Sequence, residues 1–437
     1  MKLYRSNQPG FKKKFLSAVR RANDIRDVST TVSGILADIK TRGNSAILDY
    51  TAKFDGIQLK PAQLKVPEAA LEEAARSLKP SEKRAIRASI QSVKAFHNPT
   101  LPKNWTAKNG HGGTVGECFY PIERVGIYIP GGSVPLVSSV IMNTIPAVLA
   151  GVPQIAVFTP PQAGHSKGWP APGLLGALHL CGIREVYAIG GVQAIGAAAY
   201  GTRSIAAVDK VFGPGNAYVN EAKRQVFGEV GVDLQPGPSE VMVITDDGAS
   251  PECVAADLIA QAEHGTGKEK IYLVALSEGL IDSVKAAIET QVPNRQHADA
   301  ILEVLKVNGF AVVCQDLDEA AEVANLVAPE HLELQVASAA IVRLTRQIRT
   351  AGAILQGYMT PTVLGDFVAG PSHTLPTGRT GRFFSGLRAV DFLRRTSVVR
   401  YDRKSIQEAS EAVATFSEME QLDGHGYSLQ VRLESQT

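Results

Sequence analysis

Val125-Gly126-Ile127-Tyr128-Ile129-Pro130-Gly131-Gly132-Ser133 is a short apolar run that ends on proline and two glycines. Such a run is too short for a helix, is closed by a turn signal, and reads as a strand buried on both faces. The pattern recurs at Gln154-Ile155-Ala156-Val157-Phe158, Val186-Tyr187-Ala188-Ile189 and Ile205-Ala206-Ala207-Val208, with small-residue stretches of helical length between. Apolar strands alternating with helices predict an α/β layer, a parallel sheet covered on both sides. A second set follows at Val241-Met242-Val243-Ile244, Lys270-Ile271-Tyr272-Leu273-Val274-Ala275 and Phe310-Ala311-Val312-Val313. The predicted fold is two tandem doubly wound, incomplete Rossmann-like α/β domains, with the ligand site in the crevice between them.

The flanks read differently. Residues 1–24 are a basic helical arm, and from 384 to 437 a helical tail is expected. Residues 28–100 carry apolar positions at helical spacing, through Val32, Ile35, Leu36 and Ile39 and again through Leu71, Ala75 and Leu78. The expected domains are 25–128 joined with 237–383, and 129–236.

Composition excludes several classes. A chain of 437 residues with 44% hydrophobic and 20% charged residues is globular and large enough for more than one core. A formal charge of +2 gives no reason to expect nucleic acid or an anionic membrane as partner. No run of membrane-spanning length or signal-peptide core is present. Cys118, Cys181, Cys253 and Cys314 lie far apart with no CxxC spacing, which argues against a disulfide framework, so the cytoplasm is the expected compartment.

Within Ser250–His264, Ser250 is a natural N-cap, Pro251 suits the first helical position and Glu252 places negative charge on the first turn. Gln261 and His264 stand three residues apart on one face of that helix, where an amide oxygen and an imidazole can ligate a metal or simply meet solvent. Four loops rich in glycine or proline (129–133, 190–193, 213–216 and 236–239) allow backbone approach to a ligand, with Gln193, Asn216 and Ser239 at their edges. None is a GxGxxG. Glu330-His331 follows a proline at an element end and can serve as a proton-transfer pair or sit on an exposed loop. Asp366 lies in a Gly- and Pro-rich segment that can place a hard oxygen ligand, and His373 in the same segment can hold the loop or touch substrate.

Together these pieces resemble the L-histidinol dehydrogenase family. The markers, in chain order, are YIPGGSVPL from Tyr128, GGVQAIGAAAYGT from Gly190, VDKVFGPGNAYVNEAKR from Val208 and GPSEVMVITD from Gly237. AADLIAQAEHG from Ala255, APEHLEL from Ala328, GDFVAGPSHTLPTG from Gly365 and EQLDGH from Glu420 complete the series. The resemblance implies an NAD-dependent zinc enzyme that oxidises L-histidinol twice, through L-histidinal to L-histidine, in the last steps of histidine biosynthesis. Zinc would be held by Gln261, His264, Asp366 and His425. Glu330 and His331 would be the catalytic pair, and Tyr128, Gln193 and Asn216 would contact NAD. Ser239, Gln261, His264, His331, Asp366, Glu420 and His425 would contact substrate. The 129–236 domain would then bind NAD, and the other domain would carry most metal and catalytic residues. The resemblance also implies an intertwined homodimer, with the 384–437 tail contributing to the partner's site.

Three departures bear on substrate choice. Phe367 stands where the family commonly has Tyr, and Arg379 and Arg388 replace small or uncharged residues. Extra arginines suit an anionic substrate, and relatives exist that oxidise a sulfonated propanediol. A related zinc- and NAD-dependent dehydrogenase for another polar alcohol is therefore the alternative, and a non-catalytic metal- or nucleotide-binding scaffold a third.

Overall fold

In a computed structural model of the chain, all residues are described except 23–27, 132–134, 163–167, 235, 265 and 436–437. The boundary expected between residues 24 and 25, and Gly132 and Ser133 of the first glycine loop, lie outside the described residues. Two six-stranded sheets and a three-stranded sheet organise the rest.

The first sheet is parallel throughout and runs in the order Lys2–Arg5, Gly309–Val313, Lys270–Ala275, Glu240–Thr245, His331–Gln335, Ala353–Gln356. Its central strands are buried along their whole length, which is why they read as continuous apolar runs. Their alternate residues serve two cores. Val241, Val243, Ile271 and Leu273 meet helices Pro251–Ala262, Glu278–Gln291 and Ala298–Asn308, whereas Met242, Ile244, Tyr272 and Val274 meet Phe11–Ala22, Leu317–Val327 and Ser338–Gln347. The expected basic arm is thus part of this layer. Lys2–Arg5 is an edge strand, and Phe11, Phe15 and Val19 at helical spacing are buried against Phe310 and Val312.

The second sheet runs Lys65–Val66, Glu185–Ala188, Gln154–Thr159, Arg124–Tyr128, Lys210–Phe212, Gly231–Val232, parallel except for the first pair. Strand Arg124–Tyr128 confirms the opening run, but the run Ile205–Val208 precedes its strand, which is Lys210–Phe212.

Residues 28–128 share their core with 129–236: Val32, Leu36, Ile39, Leu71 and Val93 join Val125, Val157 and Phe212 in one cluster. Gly196 shows why, since a side-chain carbon there would lie 2.9 Å from Ile39 Cδ1 and 3.2 Å from Leu36 Cδ2. That close seat on helix Gly191–Tyr200 draws the early helices to the second sheet.

The tail also departs from a purely helical reading. It begins as strand Leu393–Arg400, which pairs antiparallel with Thr114–Pro121, itself paired with Trp105–Lys108. Helices Arg403–Met419 and Asp423–Glu434 follow, the second with no buried residue. No helix among the described residues is long and apolar enough to cross a membrane.

Candidate active site

Three elements of the first sheet converge at its amino-terminal edge. Helix Pro251–Ala262 starts as predicted, with Ser250 accepting from Cys253 N, and runs antiparallel to the strands, so its last turn arrives where they begin. Gln261 is the penultimate helical residue and His264 lies just beyond, yet Gln261 Nε2 reaches His264 Nδ1 at 2.9 Å. Gln261 Nε2 donates to that ring nitrogen, so the neutral imidazole carries its proton on Nε2, and the amide oxygen of Gln261 keeps its lone pairs for a ligand.

The second element is strand His331–Gln335. Glu330 and His331 stand at its start, and both are buried rather than exposed. The backbone of Glu240 holds the pair: its N–H donates to Glu330 Oε2 at 2.8 Å, and His331 Nδ1 donates to its carbonyl at 3.3 Å. With the proton on Nδ1, His331 Nε2 carries a lone pair, and that buried atom has no hydrogen-bond partner. Burial and the neighbouring His373 push His331 down to about 3, so it is neutral at physiological pH. Burial, reinforced by Glu240 and Asp366, raises Glu330 well above the ordinary carboxylate range.

The third element is the short helix Thr362–Phe367, where a loop was expected. Asp366 Oδ1 lies 3.7 Å from His331 Nε2 and 3.7 Å from His373 Nδ1. Burial, then the charge of Glu333, raises Asp366 to about 7. His373 ties this segment down, pairing with the Asp366 carbonyl at 3.1 Å and Ser139 Oγ at 3.3 Å. A cavity of about 310 Å³ opens here, lined by His331, Ile354, Leu364, Ser372, His373 and Leu375, at the lower end of the size of small-ligand pockets.

The other predicted residues fall into three places. Ser239 precedes strand Glu240–Thr245 and is half-buried. Tyr128, Gln193 and Asn216 gather at the carboxyl ends of the second sheet's strands. There Tyr128 OH accepts from Gly191 N at 3.2 Å, Gln193 Nε2 is 3.5 Å from Asp55 Oδ2, and Asn216 caps helix Ala217–Val226 through Tyr218 N and Val219 N. Glu420 and His425 are exposed on the tail, and among the described residues no cluster of three acidic, His or Cys side chains suited to a metal ion forms within the one chain. Arg379 donates to the Leu326 carbonyl and Arg388 starts a short turn held by Asp391, while Phe367 is exposed.

Sequence reasoning missed Glu240, Asp257, Glu333, Gln335 and Thr362. The signal for two of them was in the His331–Gln335 run, where polar residues at 331, 333 and 335 alternate with Leu332 and Leu334.

A parallel α/β framework with a buried His–carboxylate cluster beside a pocket is the arrangement of an enzyme active site, and its relatives place it among the oxidoreductases. The chain belongs to the histidinol dehydrogenase family: the sequence model described as histidinol dehydrogenase matches residues 18–433. A histidinol dehydrogenase of Rhizobium meliloti is 40% identical over 419 residues, covering 96% of this chain and 94% of the relative. That of Gluconobacter oxydans is 40% identical over 438 residues, covering 99% and 100%. The crystal structure of histidinol dehydrogenase from Elizabethkingia anophelis superposes with a TM-score of 0.93 at 32% identity, covering 99% of this chain and 98% of that one.

Proposed function

We propose that the chain oxidises L-histidinol through L-histidinal to L-histidine with two NAD⁺, at a zinc site completed by the tail of a second copy. The observation that carries this reading is the bare, buried Nε2 of His331 beside Asp366 and next to the Gln261–His264 pair. Gln261 Oε1, the His264 imidazole and the Asp366 carboxylate make a mixed N/O donor set suited to Zn²⁺, with His425 of a second copy as fourth ligand. When bound, zinc supplies a positive charge that orients the substrate and favours ionisation of its hydroxyl. NAD, when bound, supplies the hydride acceptor, and Tyr128, Gln193 and Asn216 are the residues that contact it.

His331 takes the hydroxyl proton as hydride leaves the carbinol carbon, and does so again from the hydrated aldehyde. Its neutral imidazole, fixed by the Glu240 carbonyl, is already in the accepting form. Glu330, once ionised, takes a proton from the water that adds to the aldehyde, and the burial that raises its proton affinity strengthens it as that base. The balance is alcohol, two NAD⁺ and one water giving carboxylate, two NADH and three protons. Burial of this edge keeps the aldehyde from bulk water between steps. Ser239, Glu420 and His425 complete the substrate shell.

Asp366→Ala is expected to lose bound zinc and turnover together, by metal analysis and NADH absorbance. His331→Ala should keep zinc while turnover drops by about 10²–10⁴-fold. Undiminished turnover in His331→Ala would overturn the assignment of the base.

A further inference from the structure

The residues that flank the site form a buried polar network no part of the proposed chemistry uses. Asp257 precedes Gln261 by one helical turn and shares its face. Glu333 follows His331 by two residues and shares its side of the strand. Thr362 opens the short helix that carries Asp366. Glu333 Oε1 accepts from both Thr362 N and Thr362 Oγ1 at 2.7 Å. Gln335 Nε2 bridges the two carboxyls, reaching Asp257 Oδ2 at 2.6 Å and Glu333 Oε2 at 2.9 Å. The amide must face them with its NH₂ group, because the reverse orientation would set an oxygen against both carboxyls. Glu333 is fully buried, Gln335 and Thr362 nearly so.

This is a bracket across all three converging elements. We infer that Glu333, with Asp257, Gln335 and Thr362, is a positioning network that fixes the Asp366 helix against the Gln261–His264 turn and so sets zinc affinity. It rests on the proposed metal site, toward which none of these side chains is itself a ligand. Three donors converge on Glu333, which makes it the acceptor of the carboxyl pair. Burial and the charge of Glu333 raise Asp257 to about 8, so Asp257 carries the proton between them. Removing Glu333 strands the Thr362 donors and frees the helix to shift, and groups that orient metal ligands typically cost about 10–100-fold in affinity when removed.

The test is zinc affinity, read by competition with a chromophoric chelator on the full chain, alongside kcat and KM. Glu333→Ala should bind zinc about 10–100-fold more weakly while its circular dichroism stays that of wild type. Thr362→Val, which removes one donor and keeps the volume, should weaken zinc in the same direction, and Thr362→Ser should restore it. Asp257→Asn should stay near wild type, because an amide accepts from Gln335 and donates to Glu333 as the protonated acid does. Wild-type affinity in both Glu333→Ala and Thr362→Val would overturn the inference, as would a Thr362→Ser no better than Thr362→Val. Asp366→Ala is the control: if it alone loses zinc, the metal site stands and the network falls. If wild type binds no zinc, or Asp366→Ala keeps it, the site reading and the inference fall together.

Discussion

His331 shows how burial and one backbone contact hold an imidazole neutral and in one tautomer. Its Nδ1 proton is pinned by the Glu240 carbonyl, and the same residue's N–H holds Glu330, so the backbone of one residue orients both members of the pair. Adjacent Glu and His were legible in the sequence as proton-transfer chemistry. Their burial was not, because it comes from strand Glu240–Thr245, ninety residues earlier in the chain. Asp366 carries the clearest pH signature. Its carboxyl rises from the usual 3.8 to about 7 through burial and the charge of Glu333. A carboxyl raised on folding favours the fold below its unfolded value and loses that contribution as pH climbs through the folded one. In metal-free protein, wild type should therefore lose stability relative to Asp366→Asn as pH rises from 3.8 to about 7. The slope should reach at most about 1.4 kcal/mol per pH unit. Urea titrations at both ends of that window, in chelator, check this; a constant difference would contradict it.

At the scale of elements, helix Pro251–Ala262 was legible to the residue at its start, since Ser250, Pro251 and Glu252 signal it locally. Strand His331–Gln335 was not, because its polar face of His331, Glu333 and Gln335 breaks the apolar run by which the other buried strands were recognised. The reason lies in what that face meets: His331 lines the pocket, and Glu333 and Gln335 hold the polar network beside it. The loop after Phe212 gives the element-scale prediction. Lys223 Nζ is fully buried against Asp233 and donates to the Gly213 carbonyl at 2.9 Å and the Leu234 carbonyl at 2.8 Å. Asp233 in turn accepts from Gly213 N at 2.8 Å, so the pair clamps the turn that leads to Asn216. Lys223→Met leaves Asp233 buried without its cation and should cost about 3–5 kcal/mol of stability. Adding Asp233→Asn should recover part of it. A denaturation midpoint unchanged in Lys223→Met would show that the clamp does not stabilise the fold.

The whole molecule places its two sets of predicted contacts at opposite strand ends, Tyr128, Gln193 and Asn216 at carboxyl ends and His331 at an amino end. Two tandem α/β layers were legible from the apolar runs. Which helices cover which layer was not, because amphipathic stripes such as Val32–Ile39 state that a face is buried and not against what. The three-stranded sheet escaped as well, since Leu393–Arg400 is polar and largely exposed. The tail's Phe416, Met419 and Tyr427 are also exposed, an apolar surface consistent with docking on a second copy. If His425 acts across such a dimer, mixing His331→Ala with His425→Ala subunits should restore roughly a quarter of wild-type activity, since half the dimers are mixed and each has one intact site. No recovery would place His425 in its own chain's site. The most direct test of the account is NADH formed per L-histidinol consumed by zinc-loaded protein. Two NADH, abolished by a chelator and restored by Zn²⁺, is the predicted result; no NADH from histidinol, or turnover indifferent to the chelator, would contradict it.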